Sequence, residues 1–394
     1  MSGTTILDGI RQLLEPYVAA DVDETSRQRL ALLVLGIIQA KSAAPAQIAK
    51  ALATLGLSGA TAESIERRIR RIENDPEISA TLCLHPLARQ RLLLGQPQHL
   101  LLILDPSTQD DRIVIVTVAV WYRGRALPLA WVTWPGNTPL RHERFWVRIA
   151  ALLDTVAPLL PVGVTITWLA DRAFGTPAFT DLVTSHGWHY VVRVQEQTHC
   201  RDRRGREQPV AAWLRHPGDR RKLRGQLFKS RGWREASLVG YWSPACPKPL
   251  CVVSDLRPAW YLLKLYRRRY AVEALFRHYK SYGWHWEQGQ VGDLSHVERL
   301  LVGMALATWL ALSVGTAVAA EYLAQRPTGH RRTRPWAGKQ SLFTLGLQRL
   351  AAMVGGGAQV HLAWCFTAWD APNWEDQITF YHARAFVFAW DNGL

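Results

Sequence analysis

The chain has 394 residues, enough for two or three domains with cores of their own, and its 47 lysines and arginines against 32 aspartates and glutamates leave a formal charge of +15. An excess of that size implies a polyanionic partner, nucleic acid first, or else an evenly spread solubilising surface; the second fits poorly, because residues 201–235 alone carry 12 basic and 4 acidic side chains. Five cysteines, an odd number with no Cys-x-x-C pair, exclude a disulfide framework and a zinc-finger pattern, so reduced thiols and no zinc are expected.

The first twenty residues include Asp8 and Glu15 and lack the apolar core of a signal peptide, which makes the cytoplasm the expected compartment. Residues 1–95 read as a helical, DNA-binding domain. Pro45 opens a helix through Leu55, Gly56-Leu57-Ser58-Gly59 turns the chain, and Thr61 caps a second helix to about Asn74, a helix-turn-helix pattern. In that second helix Ile65, Ile69 and Ile72 form a core stripe, leaving Arg67, Arg68, Arg70 and Arg71 to face elsewhere. Those arginines suit a DNA groove or, equally, a solvated face partnered by Glu66 and Glu73.

From about Gln96 the periodicity becomes that of strands, over 99–105, 112–122 and 125–134, with a tight turn at Arg123-Gly124. A helix over 140–157, a strand over 164–170, a helix over 177–185 and a strand over 188–194 complete the order βββαβαβ, which by analogy is that of an RNase H-like mixed sheet. The expected fold class is therefore α/β, with the RNase H-like core at 96–194 and 255–325 split by a basic, β-rich insertion at 195–254. A long helix is expected over 259–282. Residues 300–320 are free of charge and long enough to cross a bilayer, but Gly303, Thr308, Ser313, Gly315 and Thr316 dilute the run and no second one exists. A buried core helix and no membrane contact are expected. Beyond it, residues 326–394 read as a basic and helical region for dimerisation or DNA contact, with His330, Arg331, Arg332 and Arg334, a helix over 341–353 and a tryptophan-bearing tail.

Three places carry acids in chemically suggestive settings. Apolar runs end at Asp105-Pro106-Ser107 and at Asp171, four residues before Gly175, which is placed to permit a sharp turn. Taken singly, each aspartate suits a turn or cap as well as a site. In the long helix, Tyr266, Arg269, Glu273 and Lys280 fall within a stripe about 60° wide, so a carboxylate, two cations and a phenol share one face. That face suits metal and phosphate together, although Arg269 and Glu273 are also an ordinary i, i+4 helix pair.

The spacing Tyr266-x-x-Arg269-x-x-x-Glu273, with Lys280 seven residues on, resembles the Tyr-Arg-Glu-Lys signature of the bacterial DDE insertion-sequence transposases. Asp105-x-Ser107 and Asp171-x-x-Phe174-Gly175 resemble that family's two other motifs, in the same order. The resemblance implies a transposase that cuts transposon ends and joins them to target DNA, with Asp105, Asp171 and Glu273 holding two Mg2+ ions, Mn2+ being an alternative, and Tyr266, Arg269 and Lys280 holding DNA phosphates. It also implies a homodimer on the terminal inverted repeats, and an insertion aromatic for a flipped base. Trp213, Trp233 and Trp242 are the candidates for that last role, with core packing as the competing one. Glu287 is a lesser rival to Glu273. Another RNase H-like nuclease, or a catalytically silent transposase-derived DNA-binding protein, would share much of this pattern.

Overall fold

A computed structural model describes residues 2–56, 60–109, 112–324, 340–355 and 362–366. The amino-terminal part is helical: α1 (Ser2–Leu14), α2 (Glu24–Ala40), α3 (Pro45–Thr54), α4 (Ala62–Glu73) and α5 (His85–Leu94). Their starts are marked chemically. Asp23 accepts from the Ser26 amide at 2.6 Å, Pro45 sits in a first turn that needs no donor, and the Thr61 hydroxyl accepts from the Ser64 amide at 3.3 Å. Helix α4 buries Ile65, Ile69 and Ile72 and exposes Arg67, Arg68, Arg70 and Arg71. Of the two expected acidic partners, Glu66 binds Arg70 at 2.8 Å, whereas Glu73 is buried and its carboxyl is pushed up by desolvation. The turn at 57–59 lies outside the described residues.

A meander follows, β1 (His99–Gln109), β2 (Ile113–Tyr122) and β3 (Arg125–Pro135), then α6 (His142–Val156), β4 (Thr165–Ala170), α7 (Pro177–Ser185) and β5 (His189–Arg193). Strands β1, β2 and β3 pair antiparallel, while β4 runs parallel to β1 and β5 parallel to β4. The order β3-β2-β1-β4-β5 is the RNase H-like mixed sheet that the sequence predicts. Pro128 lies on the edge strand β3 beside a register shift at Val118/Ala119, where a missing donor is tolerated.

Residues 195–254 do contain strands, β6 (His199–Asp202), β7 (Glu207–Pro209), β8 (Arg220–Leu227), β9 (Arg234–Tyr241) and β10 (Leu250–Ser254), but these do not form a layer of their own. The apolar β10 pairs antiparallel with β5, and β9, β8, β6 and β7 follow, so one sheet of ten strands runs through the molecule. Pairing with β10 removes the open edge that β5 would otherwise present.

The expected long helix is segmented: α8 (Tyr261–Arg267), a 3-10 turn (Arg268–Tyr270), α9 (Ala271–Arg277) and a π turn (His278–Tyr282). Helix α10 (Leu294–Ala324) contains the apolar run, and α11 (Leu342–Gly355) packs on it. The most apolar window of α10 has a mean hydropathy of 1.8 and is 94% buried, against α2, β3, α4 and α11. Its length and composition would allow a membrane span, yet its apolar surface is already covered by the protein. Its polar side chains are satisfied inside: Thr308 donates to the Met304 carbonyl at 2.7 Å and accepts from the Trp284 indole at 3.0 Å. A Cβ on Gly315 would collide with the Leu342 carbonyl, and one on Gly346 with the Ala311 carbonyl, so α10 and α11 touch backbone to backbone. The basic run around His330 to Arg334 and the tail beyond 366 lie outside the described residues.

Candidate active site

The parallel ladder between β1 and β4 ends at Leu104 and Ala170, so Asp105 and Asp171 are the next residues on two neighbouring strands as they part. The sequence suggests that β1 stops at Asp105; instead it continues to Gln109, paired with β2 alone. What stops at Asp105 is the pairing with β4, and Pro106, with no N–H to donate, falls on the stretch that has lost that neighbour. After Asp171 the chain makes a 3-10 turn (Arg172–Phe174). The chain does turn sharply at Gly175, where the Thr176 amide donates to the Phe174 carbonyl at 2.8 Å, but its φ of −74° is open to any residue; what requires glycine is the Arg193 carbonyl of β5, with which a Cβ would collide.

The third acid comes from α9. Arg269, 6% exposed, donates from Nη1 to Asp105 Oδ1 at 2.7 Å and from Nη2 to Glu273 Oε1 at 2.9 Å. The i, i+4 pair therefore forms, but the same guanidinium ties α9 to a strand 164 residues earlier, which an ordinary surface pair does not do. Burial pushes Asp105 up to about 7; Arg269 opposes the shift, and Asp171 and Glu273 add to it. Glu273 is raised by burial and by Asp171, against Arg269. The three acids thus feel one another's charge around a single buried cation. Among the described residues no group of three or more His, Cys, Asp or Glu stands in metal-binding geometry.

Tyr266 is fully buried, with Arg269 5.8 Å from its ring centroid, and burial raises its hydroxyl. Neither Tyr266 Oη nor Arg269 Nε has a hydrogen-bond partner among the described residues. The Lys280 ammonium lies 3.3 Å from Glu287. The face argued from a uniform helix holds for Arg269 and Glu273, while the 3-10 and π turns on either side of α9 change the advance per residue before Tyr266 and Lys280 are compared. Two further cations lie outside the sequence expectations: Arg193 at the end of β5, whose charge opposes the burial-driven rise at Tyr266 and Tyr270, and Arg277, which opposes the rise at Glu273 from one helical turn away. Arg277 was findable as an i+4 neighbour; Arg193 required the strand order.

Of the insertion tryptophans, Trp213 is buried with the guanidinium groups of Arg206 and Arg221 at 4.5 and 5.4 Å from its ring. Trp233 has Arg201 at 4.4 Å from its ring, and Trp242 donates to the Cys246 carbonyl at 3.0 Å. None of the five cysteines is in a disulfide.

Residues 147–310 match the family model described as the transposase DDE domain, a span that contains Asp171 and Glu273 but begins after Asp105. Among solved structures the chain is similar to the piggyBac transposase synaptic complex with hairpin DNA, seen by cryo-EM, with a TM-score of 0.46 and 11% identity over 90% of this chain and 78% of that one. No curated protein matches it.

Proposed function

We propose that the protein is a DDE transposase that cuts the ends of a mobile DNA element and joins them to target DNA. The supporting observation is that Asp105, Asp171 and Glu273, from three separate elements, meet at one corner of the sheet beside the buried Arg269, the last two within the stretch that matches the transposase DDE domain.

The donor set suits hard divalent cations. Three carboxylates offer oxygen ligands, two of them raised by burial and mutual repulsion, which a bound cation would relieve. Polar atoms on Tyr266 and Arg269 that find no partner among the described residues mark a corner whose hydrogen bonding those residues alone do not complete. Asp105, Asp171 and Glu273 would hold the metal, Mg2+ with Mn2+ as substitute. When bound, a pair of such ions supplies Lewis acidity at both the attacking and the leaving oxygen of a phosphodiester. Arg269 opposes the rise at Asp105 and Glu273 and holds the two close, and the Tyr266 ring lies beside its guanidinium. Arg269 and Lys280 are the cations for DNA phosphates; each is engaged by carboxylates, so DNA competes with Asp105, Glu273 and Glu287 for them.

The same reading assigns residues 1–95 to DNA binding, 96–194 and 255–325 to catalysis, 195–254 to a basic insertion, and 326–394 to dimer or DNA contacts. It expects a homodimer on inverted repeats in the bacterial cytoplasm. The test is Asp171→Asn with DNA carrying the element's ends. Cleavage should fall by at least a thousandfold with end binding within a few-fold of the parent, because binding rests on cations. Undiminished cleavage by Asp171→Asn would remove the carboxylate site, and a parent chain that binds ends but never cuts them would favour the silent DNA-binding descendant.

A further inference from the structure

Away from the carboxylates, the insertion carries an open groove of about 840 Å3. Its walls are the β6–β7 turn (Asp202, Arg203, Arg204, Arg206), the outer part of β8 (Arg221, Leu223, Arg224) and the linker from β10 to α8 (Asp255, Arg257, Pro258). Strand β6 pairs with β8 only at Gly225, Gln226 and Leu227, so residues 220–224 run past its end and the groove opens there.

Both lining acids are already spent. Asp202 accepts from the Arg204 and Arg206 amides at 2.9 Å and from Arg206 Nη2 at 3.0 Å, closing its own turn. Asp255 takes the His189 ring at 2.6 Å and the Tyr190 amide at 3.0 Å. Part of the arginine set is fixed as a frame: Arg206 and Arg221 lie over Trp213, and Arg224 donates to the Asp255 carbonyl at 2.7 Å. Arg203, Arg204 and Arg257 are exposed, and their side chains form no ion pair with any described residue. A charged edge that served only to prevent strand pairing needs neither a concave shape nor a fixed aromatic and guanidinium frame. Free guanidinium forks over such a frame suit a row of phosphodiesters.

We propose that this groove is a second DNA site, tracking the backbone of duplex DNA that lies beyond the segment at the carboxylates. The choice of DNA rests on the transposase reading; the groove as an anion site rests on the arginines. Duplex DNA of mixed sequence is titrated with the full chain at several KCl concentrations. The variant Arg204→Gln/Arg257→Gln is compared with Arg231→Gln/Lys248→Gln, which removes the same charge from the exposed surface of the insertion outside the groove. The groove variant should bind roughly tenfold more weakly at low salt, with the slope of log K against log[KCl] shallower by about 1.8, while the comparator stays near the parent.

An unchanged slope, or an equal fall in the comparator, overturns the proposal. In the parent chain, DNA should protect Arg204 and Arg257 from an arginine-specific dicarbonyl reagent; full modification in saturating DNA overturns it without any variant. Binding of polyglutamate with the same dependence on both arginines and equal affinity would make the groove a dock for acidic polypeptide and overturn the DNA assignment. These outcomes are separable from the catalytic reading, since Asp171→Asn reports on cleavage and the groove variant on binding.

Discussion

Arg269 is where the site's charges are balanced. A buried guanidinium that faces Asp105 and Glu273 opposes the rise that burial imposes on both carboxyls, and removing one partner of such a set commonly costs about 3 to 5 kcal/mol because the others are left uncompensated. Arg269→Ala should therefore lower thermal stability strongly in chelator, and Mg2+ should raise its melting temperature more than it raises the parent's, since the cation replaces the missing charge. A pair of calorimetric scans with and without Mg2+ checks this; no Mg2+ effect on either protein would count against the carboxylates as its ligands. At this scale the sequence was legible wherever spacing or a strand end fixed geometry, as for Asp171 and Glu273. It was not legible for the role of Arg269, whose bond to Asp105 spans 164 residues. Nor could it show that Tyr266 is buried, because that depends on what packs beneath α8.

Secondary elements were read well where periodicity was strict, and α4, α7 and the meander lie within a residue or a few of their expected limits. The helix that carries Glu273 is where regular periodicity misled. Its 3-10 and π turns leave apolar spacing nearly unchanged, so nothing in the pattern marks them. The π turn begins at His278, whose ring stacks on Phe343 of α11 at 4.0 Å with neither nitrogen partnered among the described residues. Burial, then the nearby Arg125 and Arg277, lower this imidazole to about 4. Between pH 6.5 and 4 the unfolded chain binds a proton there that the folded chain refuses, so this contribution is intact above about 6.5 and is lost as pH falls through that window. His278→Phe keeps the stacked ring and removes the titration. The variant should match or exceed the parent's stability at neutral pH and be more stable by about 2 to 3 kcal/mol near pH 4.5, measured by urea denaturation. Parallel pH profiles for the two proteins would show that His278 is not the group responsible.

At the scale of the whole molecule, the decisive feature is that the strands of residues 195–254 extend the core sheet rather than standing beside it. Their basic, strand-rich character is legible in the sequence but their place in the sheet is not, because pairing partners follow from topology and not from local pattern. Strand β10 closes the β5 edge through Val252, Val253 and Ser254, opposite Arg193, Val192 and Val191, and most of these residues are buried. Excision of 195–254 with a short linker should consequently do more than delete a DNA-binding appendage. It uncovers an apolar edge, removes the neighbour that holds β5 in place and, through β5, loosens the close contact between Gly175 and Arg193 that sets the chain after Asp171. Such a variant should aggregate or lose cooperative unfolding, followed by gel filtration and circular dichroism. Excision of 200–240, which leaves β10 on β5, should retain more structure while losing the arginine groove. If the larger excision instead yields a monodisperse, cooperatively folding protein, the sheet is divisible at β5 and the insertion is an independent module, so the position of Asp171 would owe nothing to it.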